Sequence, residues 1–152
     1  MKVVVDTNIV FSLILSPQGT ISDLIFNSSN AFEFFSPRTI VEELERHQGR
    51  ISEISQLSVK EIEILQETAL GFINVIPFDS ISITNWSRAS SLLKTIDEFD
   101  APFLALKLEL DALLWTGDKK LIRGLTKANI NGIVDTAELK KLRWDLDQEL
   151  DL

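Results

Sequence analysis

The sequence predicts one α/β domain of the three-layer α/β/α kind, in which helices cover both faces of a five-stranded parallel sheet. Strand-like and helix-like segments alternate along the chain, as they do in βαβ units. Several strand-like segments are apolar throughout, which is typical of strands buried on both faces. With 152 residues, 45% hydrophobic and 25% charged, the composition is that of a single globular domain. We expect that domain to span 1–152, with its core at about 1–135 and a C-terminal helix and acidic tail at about 136–152.

The first half of the chain supplies three of the predicted strands and three helices. The strands are short apolar runs at Lys2–Val5, Phe32–Phe35 and Ile73–Ile76. Each of the three helices is announced by residues that favour a first turn. Thr20-Ile21-Ser22-Asp23 resembles a capping box and opens a helix to about Asn27. Ser36-Pro37 starts a helix that carries Ile40, Val41 and Leu44, and Ser58 is the predicted cap of Val59–Gly71.

The second half supplies the remaining two strands, at Ala112–Trp115 and Ile130–Val134. A helix is predicted from Ser80 onward, and its apolar face is formed by Ile83, Trp86, Leu92 and Leu93. The next helix, from about Ala101 to Leu110, is largely apolar, so we expect it to lie deep in the fold. Two more helices are predicted at Lys119–Lys127 and from Thr136, the last one carrying Leu139, Leu142 and Leu146.

Charge and composition exclude several classes of site. The net charge of −8 argues against simple electrostatic capture of nucleic acid, and the absence of cysteine excludes disulfides, thiolate zinc sites and cysteine nucleophiles. A lone histidine, His47, rules out a histidine-rich zinc site. No apolar stretch approaches the roughly 20 residues of a membrane span, and no secretory signal opens the chain, so we expect a soluble cytoplasmic protein.

Carboxylates follow two of the predicted strands. Asp6 ends the first strand, Asp118 comes just after the fourth, and the cluster Asp97-Glu98-Phe99-Asp100 opens the helix Ala101–Leu110. In an open α/β sheet, ligands bind beyond the carboxyl ends of the strands, so these side chains are expected to meet in one pocket. Several carboxylates packed together repel one another unless a cation lies between them, and hard divalent cations prefer carboxylate oxygen. The pattern therefore predicts a metal-dependent site.

At these motifs the chain resembles the PIN-domain nucleases. The resemblance is carried by Asp6-Thr7-Asn8, by Glu43 in Val41-Glu42-Glu43-Leu44, by Asp100 in Asp-Ala-Pro-Phe-Leu-Ala-Leu, and by Thr116-Gly117-Asp118. Their order and strand–helix context extend from Met1 to about Val134, and Asp100–Asp118 is similar to the bacterial and archaeal members, many of which are toxins of toxin–antitoxin pairs.

The resemblance implies a PIN-like fold and a Mg²⁺- or Mn²⁺-dependent endoribonuclease that hydrolyses RNA phosphodiester bonds. The implied catalytic residues are Asp6, Glu43, Asp100 and Asp118. We assign metal contact to Asp6, Asp100 and Asp118, and expect Glu43 to act through a bound water. Asn8, Thr116 and Asp97 are assigned supporting roles, and Lys119 and Lys120 are expected to meet the RNA backbone.

The resemblance also implies partners. They are an RNA substrate, a possible antitoxin that inserts a segment over the active site, and a second copy in a homodimer, with no membrane involved. Contacts for the dimer are sought on apolar residues of the last helix, Leu139, Leu142, Trp144 and Leu146, or on the helix of Trp86.

Several of the candidate residues have a plain structural interpretation. Asp6, Asp100 and Asp118 each precede a helix and are good N-caps, although capping does not exclude metal binding. Glu43 shares its helix with Glu42 and Glu45, so the wrong glutamate is easily chosen. Asp97 competes with Asp100 on the same loop.

Two other functions remain open for the whole chain. The first is a PIN-like interaction module without catalytic activity; the acidic charge and Lys107 within an apolar helix favour it, whereas the four filled acidic positions do not. The second is a receiver-like phosphoacceptor domain. That domain needs an acceptor aspartate directly after the third strand, where Asp79 follows Pro77-Phe78, and a lysine after the fifth strand, where this chain has Asp135.

Overall fold

The sheet has five strands, all parallel, as the sequence predicts. The computed structural model describes residues 1–150, so Asp151 and Leu152, the end of the predicted acidic tail, lie outside the described residues. The strands are β1 Lys2–Val5, β2 Glu33–Pro37, β3 Ile73–Ile76, β4 Leu113–Trp115 and β5 Ile133–Val134. Their order is β3-β2-β1-β4-β5, so the first strand of the chain lies at the centre of the sheet.

Helices connect the strands and cover the sheet. They are α1 Thr7–Leu15, α2 Thr20–Asn27, α3 Thr39–Arg46, α4 Gln48–Ser55, α5 Val59–Leu70, α6 Ile83–Leu93, α7 Ala101–Leu110, α8 Lys119–Lys127 and α9 Thr136–Leu150. Short 3-10 turns precede α6, at Phe78–Ser80, and α7, at Glu98–Asp100. The second of these turns positions part of the candidate site.

Each face of the sheet has its own core, because neighbouring residues of a strand point to opposite faces. Val3 and Val5 of β1 face a core that α1 to α5 and α9 also enter. Val4 faces a second core, which is formed with α6, α7 and α8. All three valines are fully buried. The three-layer α/β/α prediction is confirmed.

Several predicted boundaries need correction. The second strand continues through Ser36 and Pro37 into β2, where they pair with Val75 and Ile76, so the next helix begins only at Thr39. The helix expected from Ser80 begins at Ile83, because Ser82 is its N-cap and accepts a hydrogen bond from the Asn85 amide.

Other corrections concern single positions. Ile83 is 84% exposed and lies off the apolar face assigned to it. Thr20 is the first residue of α2 and not its cap, which is Gly19, and Asp23 pairs instead with Arg143 of α9 at 2.9 Å. The fifth strand is limited to Ile133–Val134.

The last helix packs its leucines inward and leaves its tryptophan outside. Leu139 is fully buried, and Leu142 and Leu146 pack against the same core, whereas Trp144 is 64% exposed. Of the apolar residues proposed for a dimer contact on α9, only Trp144 is therefore free of the core. No single helix in residues 1–150 has the length and apolar composition to cross a membrane, and only α1 and α2 taken together, bent by 114° at their junction, meet those two criteria.

Candidate functional site

Asp6 lies at the centre of the sheet edge and is tied to the neighbouring strand. Its backbone N–H donates to the Trp115 carbonyl at 3.1 Å, which extends the pairing of β1 with β4. Its carboxylate Oδ2 accepts a hydrogen bond of 2.7 Å from the buried Thr116 hydroxyl. The same hydroxyl accepts from the Asp118 backbone N–H at 3.1 Å. Thr116 thus joins the ends of two strands and fixes the direction of the Asp6 carboxylate.

Three further carboxylates meet beside Asp6. Asp97, Asp100 and Asp118 each offer an oxygen, and these oxygens lie within 4.8 Å of one another. All three side chains are half-buried. Asp97 is the N-cap of the 3-10 turn before α7 and Asp100 is its last residue, while Asp118 is the N-cap of α8. The loop aspartate that the sequence treats as a competitor of Asp100 therefore lies in the same cluster as Asp100.

Ionisation is unfavourable for Asp100 of this cluster and for Asp6 beside it. Burial raises the pKa of Asp6 to about 6, despite the hydrogen bond from Thr116, and the charges of Glu43 and Asp118 add to the increase. Burial also raises the pKa of Asp100 to about 7, with further contributions from the charges of Asp6, Asp97, Asp118 and Glu43. In the absence of a cation, both carboxyl groups hold their protons more tightly than an exposed aspartate does.

Helix capping does not explain Asp6 or Asp100. Both occupy the N-cap position, of α1 and α7 respectively, yet neither side chain accepts a capping hydrogen bond. Asp118 does cap α8, because its Oδ1 accepts from the Lys120 and Leu121 amides at 2.9 and 3.2 Å. Asp97 likewise accepts from the Phe99 amide at 3.0 Å. The two carboxylates with raised pKa values are thus the two without a capping role.

Glu43 and Glu42 are neighbours on α3 but differ in exposure. Glu43 is half-buried, and its charge acts on both Asp6 and Asp100, whereas Glu42 is exposed. This arrangement supports Glu43 as the glutamate nearer to the site. Asn8 is exposed on the first turn of α1, two residues after Asp6.

The donor set suits a hard divalent cation. All the available side-chain donors in the cluster are carboxylate oxygens, the ligands that Mg²⁺ and Mn²⁺ prefer. Within residues 1–150 the single salt bridge joins Arg143 to Asp23, so no lysine or arginine in the described part of the chain neutralises the cluster by direct pairing. A buried carboxylate without a counter-charge is costly, and a bound cation removes that cost.

Comparison with known protein families assigns the fold. A family model described as PIN domain matches residues 4–147, which is nearly the whole chain. The chain belongs to the PIN-domain family. No curated protein sequence matches this PIN domain.

Three solved structures have the same fold. VapBC2 from Rickettsia felis, bound to a DNA fragment from its promoter, superposes with a TM-score of 0.66 and 14% identity, over 89% of this chain and 97% of the other. PAE2754 from Pyrobaculum aerophilum superposes with a TM-score of 0.67 and 12% identity, over 93% of this chain and 89% of the other. VapBC-1 from nontypeable Haemophilus influenzae superposes with a TM-score of 0.61 and 19% identity, over 84% of this chain and 94% of the other. At these identities the similarity establishes the fold of the PIN domain and nothing finer.

Basic residues of the PIN domain lie next to the carboxylates. Lys119 and Lys120 are both exposed at the start of α8. Lys120 lines a groove between the end of α6 and α8, together with Arg123 and Lys127 from the following turns. From the sequence, RNA contact is predicted only for Lys119 and Lys120, the two lysines beside Asp118. The spacing of Lys120, Arg123 and Lys127 at i, i+3 and i+7, which places them on one helix face, was the signal for the rest of the groove.

An apolar cleft lies on the other side of the carboxylates. It has a volume of about 320 Å³ between α1 and α4, where its walls are formed by Phe11, Leu15, Ile51 and Ile54 and its rim by Asn8, His47 and Arg50. Leu15 and Ile54 are 47% and 60% exposed. His47 packs edge-on against Phe11 at 5.7 Å between ring centroids, so the single histidine belongs to this cleft and not to the carboxylate cluster.

Proposed function

We propose that this PIN domain is a Mg²⁺- or Mn²⁺-dependent endoribonuclease. PIN domains are a family of nucleases, and the observation that carries the proposal is a cluster of carboxylates without a direct cationic partner at the carboxyl ends of β1 and β4. The surroundings of Asp6 and Asp100 raise their pKa values, and carboxylates perturbed in this way are concentrated at functional sites.

The proposed metal ligands are Asp6, Asp100 and Asp118. Asp6 is fixed by Thr116, and Asp118 keeps Oδ2 available because its capping bonds use Oδ1. Asp97 completes the cluster as a further ligand or as a group that orients bound water. Glu43 lies close enough for its charge to act on Asp6 and Asp100, which suits a residue that holds the attacking water and accepts its proton.

When bound, a divalent cation supplies a Lewis acid that polarises the phosphodiester and lowers the pKa of a water molecule. The side chains of the chain do the rest. Asp6 and Asp100 are held in place by the sheet edge and by the start of α7, so little reorganisation is needed when the charge of the transition state develops. Lys119 and Lys120, exposed beside Asp118, are proposed to hold the substrate phosphates.

We also propose that the protein is the toxin of a toxin–antitoxin pair and has an antitoxin partner. VapBC proteins are among its structural relatives, and the cleft of Phe11, Leu15, Ile51 and Ile54 offers an apolar seat that begins beside Asn8, two residues from Asp6. A segment of the partner in this cleft would reach the carboxylates. The homodimer and the cytoplasmic location remain predictions.

The test of the proposed activity is cleavage of RNA by purified protein with Mn²⁺, Mg²⁺ or EDTA. Asp6→Asn should lower the rate by at least about a hundredfold, because an amide is a poor ligand but still accepts the Thr116 hydrogen bond and preserves the fold. Glu43→Gln should lower the rate by a similar order, whereas Glu42→Gln, its exposed neighbour, is the matched control and should cleave like the native protein.

The outcomes separate the candidate functions. Cleavage that survives EDTA or Asp6→Asn would exclude the proposed metal site. Metal binding without cleavage of any RNA tested would favour the inactive interaction module instead. Loss of activity in Glu42→Gln and not in Glu43→Gln would show that the other glutamate enters the pocket.

A further inference from the structure

A basic groove adjoins the carboxylate cluster. Its volume is about 550 Å³, and it lies between α8 and the chain that follows α6. One wall consists of Lys120, Arg123 and Lys127, and the other contains Leu92, Thr95 and Ile96. We refer to it below as the α6–α8 groove.

One peptide bond and one hydrogen bond join the α6–α8 groove to the carboxylates. Ile96, in one wall, directly precedes Asp97 of the cluster. Lys120, in the other wall, donates its backbone N–H to Asp118 Oδ1 at 2.9 Å. The groove therefore begins at the carboxylates and continues away from them along α8.

The charge of the groove contrasts with that of the chain. The protein carries a net charge of −8, yet α8 contains Lys119, Lys120, Arg123 and Lys127 and no acidic residue. None of these four side chains makes a salt bridge within residues 1–150. From Lys120 to Lys127 the helix rises about 10 Å, so its cations form a row and not a point.

The floor of the groove depends on a glycine. A Cβ at Gly124 would stand 2.5 Å from Ile96 Cδ1 and 2.8 Å from its Cγ1, closer than packed atoms approach. Glycine at this position lets the α6–α7 connection lie against α8 between Arg123 and Lys127. The cationic row is thereby kept alongside the loop that carries Asp97 and Asp100.

An exposed aromatic side chain lies on that loop. Phe99 is 85% exposed, although it stands directly before Asp100. A row of cations together with an exposed aromatic ring is the combination that binds single-stranded nucleic acid, whose phosphates meet the cations and whose bases stack on the ring. An acidic protein segment would use the cations but would have no need of the ring.

We propose that the α6–α8 groove holds the phosphodiester backbone of a single-stranded RNA next to the bond that is cut, while Phe99 stacks on a base of the same strand. Arg123 and Lys127 thereby become substrate-positioning residues, in addition to Lys119 and Lys120. The proposal rests on the proposed ribonuclease function, and it specifies which residues outside the carboxylates position the strand and which face of the protein receives it.

Binding of a labelled single-stranded RNA, measured by fluorescence anisotropy with Mn²⁺, tests the groove. The Asp6→Asn background suppresses cleavage during the measurement. Arg123→Gln with Lys127→Gln should raise Kd at least tenfold at low salt and reduce the slope of log K against log salt by about 1.4, since each phosphate contact to a single strand contributes about 0.7. Lys140→Gln with Lys141→Gln is the matched control, because it removes the same charge from α9, on the opposite face of the sheet.

Stacking is tested separately. Phe99→Ala should weaken RNA binding at least about fivefold, the lower end of what one stacked base contributes. Ile83→Ala is its control, because Ile83 is 84% exposed and lies away from the carboxylates. Ile83 follows Ser82, whose N–H and hydroxyl donate to the Glu109 carboxylate. Glu109 is near the end of α7, whereas Asp100 precedes the start of that helix.

Each result decides between the proposals. If the protein with native Asp6 cuts RNA and the Arg123/Lys127 variant binds and cuts equally well, the groove proposal is wrong and the proposed function stands. If the native protein neither binds nor cuts RNA, both fail. If the variant keeps RNA binding but loses a protein partner, the groove belongs to an acidic segment of that partner.

Discussion

Asp6 and Asp100 illustrate how a folded protein can keep charge in an unfavourable place. Asp6 stands between β1 and α1, and Asp100 directly precedes α7, so apolar packing of these elements fixes both positions. Neither carboxylate forms a salt bridge within residues 1–150. Burial dominates their titration, so the favourable hydrogen bond from Thr116 to Asp6 reduces the increase in pKa without reversing it. The strain is electrostatic, and a cation would relieve it.

This strain gives a prediction about pH. Asp100 has a pKa of about 7 in the folded protein, against 3.8 for an unperturbed aspartate, so its contribution to stability is fully present below about pH 4 and is lost as pH rises through 7. In EDTA at pH 8, Asp100→Asn should therefore be more stable than the native protein, by about 1–2 kcal/mol; the full 1.4 kcal/mol per pKa unit is discounted because the group is partly exposed. Urea unfolding at pH 5 and pH 8 measures the difference.

A neighbouring glutamate provides the control for this measurement. Glu98→Gln changes an exposed carboxylate on the same turn and should leave the pH dependence unaltered. With Mn²⁺ present at pH 8 the order should reverse, because the native protein gains more from the ion than a variant that lacks one ligand. Equal stability of Asp100→Asn and native protein at pH 8 in EDTA would contradict the raised pKa.

At the scale of elements, the close contact of α8 with the α6–α7 connection depends on one missing side chain. Gly124→Ala should lower the free energy of unfolding by about 1 kcal/mol or more, because overpacking against Ile96 costs more than the roughly 1 kcal/mol that alanine gains over glycine in a helix. In an Ile96→Ala background the same substitution should be stabilising. The two effects, measured by chemical unfolding as a double-mutant cycle, would be equal if Gly124 and Ile96 did not interact.

The elements also show what sequence reasoning can reach. Helix α5 was predicted within one residue because Ser58 caps it visibly, and the Ser58 hydroxyl accepts from the Glu61 amide at 3.1 Å. Helix α4 was not predicted, because Gln48–Ser55 includes Gly49, has no capping side chain and buries only Ile51. Local capping and periodicity were present in the first case and absent in the second.

The candidate site divides in the same way. The sequence predicts one pocket for Asp6, Asp118 and the acidic cluster before α7, because strand ends in a parallel sheet share one edge. The resemblance to PIN domains added Glu43. That Asp97 lies with Asp100 and Asp118, and does not merely compete with Asp100, depends on the 3-10 turn at Glu98–Asp100, which no local pattern predicts. The groove depends on a contact between Ile96 and Gly124, which are 28 residues apart, and long-range packing of that kind has no signature in a single sequence.

For the whole molecule, the two faces of the sheet carry different surfaces toward the same carboxylates. The α6–α8 groove, on one face, is cationic, and the cleft of Phe11, Leu15, Ile51 and Ile54, on the other, is apolar. Substrate and partner are thus proposed to approach from opposite sides of one centre. A partner bound in the cleft would need only a short extension past Asn8 to occupy the carboxylates.

The cleft yields a prediction about association. Ile54→Asp should weaken co-purification with a cognate antitoxin at least tenfold, because binding would remove the new carboxylate from water in a largely apolar cleft, while RNA cleavage by the free protein stays native. Ile64→Asp is the control, since Ile64 is 55% exposed on α5, close to the 60% of Ile54, and does not line the cleft. An equal loss of binding in both variants, or in neither, would place the partner elsewhere.

The central position of the first strand has a consequence for biosynthesis. The hydrogen bond between Thr116 and Asp6 joins residues 110 positions apart, and β1 lies between β2 and β4 in the finished sheet. A chain emerging from the ribosome exposes its first aspartate early, yet it cannot pair that strand with β4 until more than two-thirds of the sequence has been synthesised. Pairing over such a distance is also slow compared with local helix formation. A translation product that stops before β4 therefore contains Asp6 but can never assemble the centre around it.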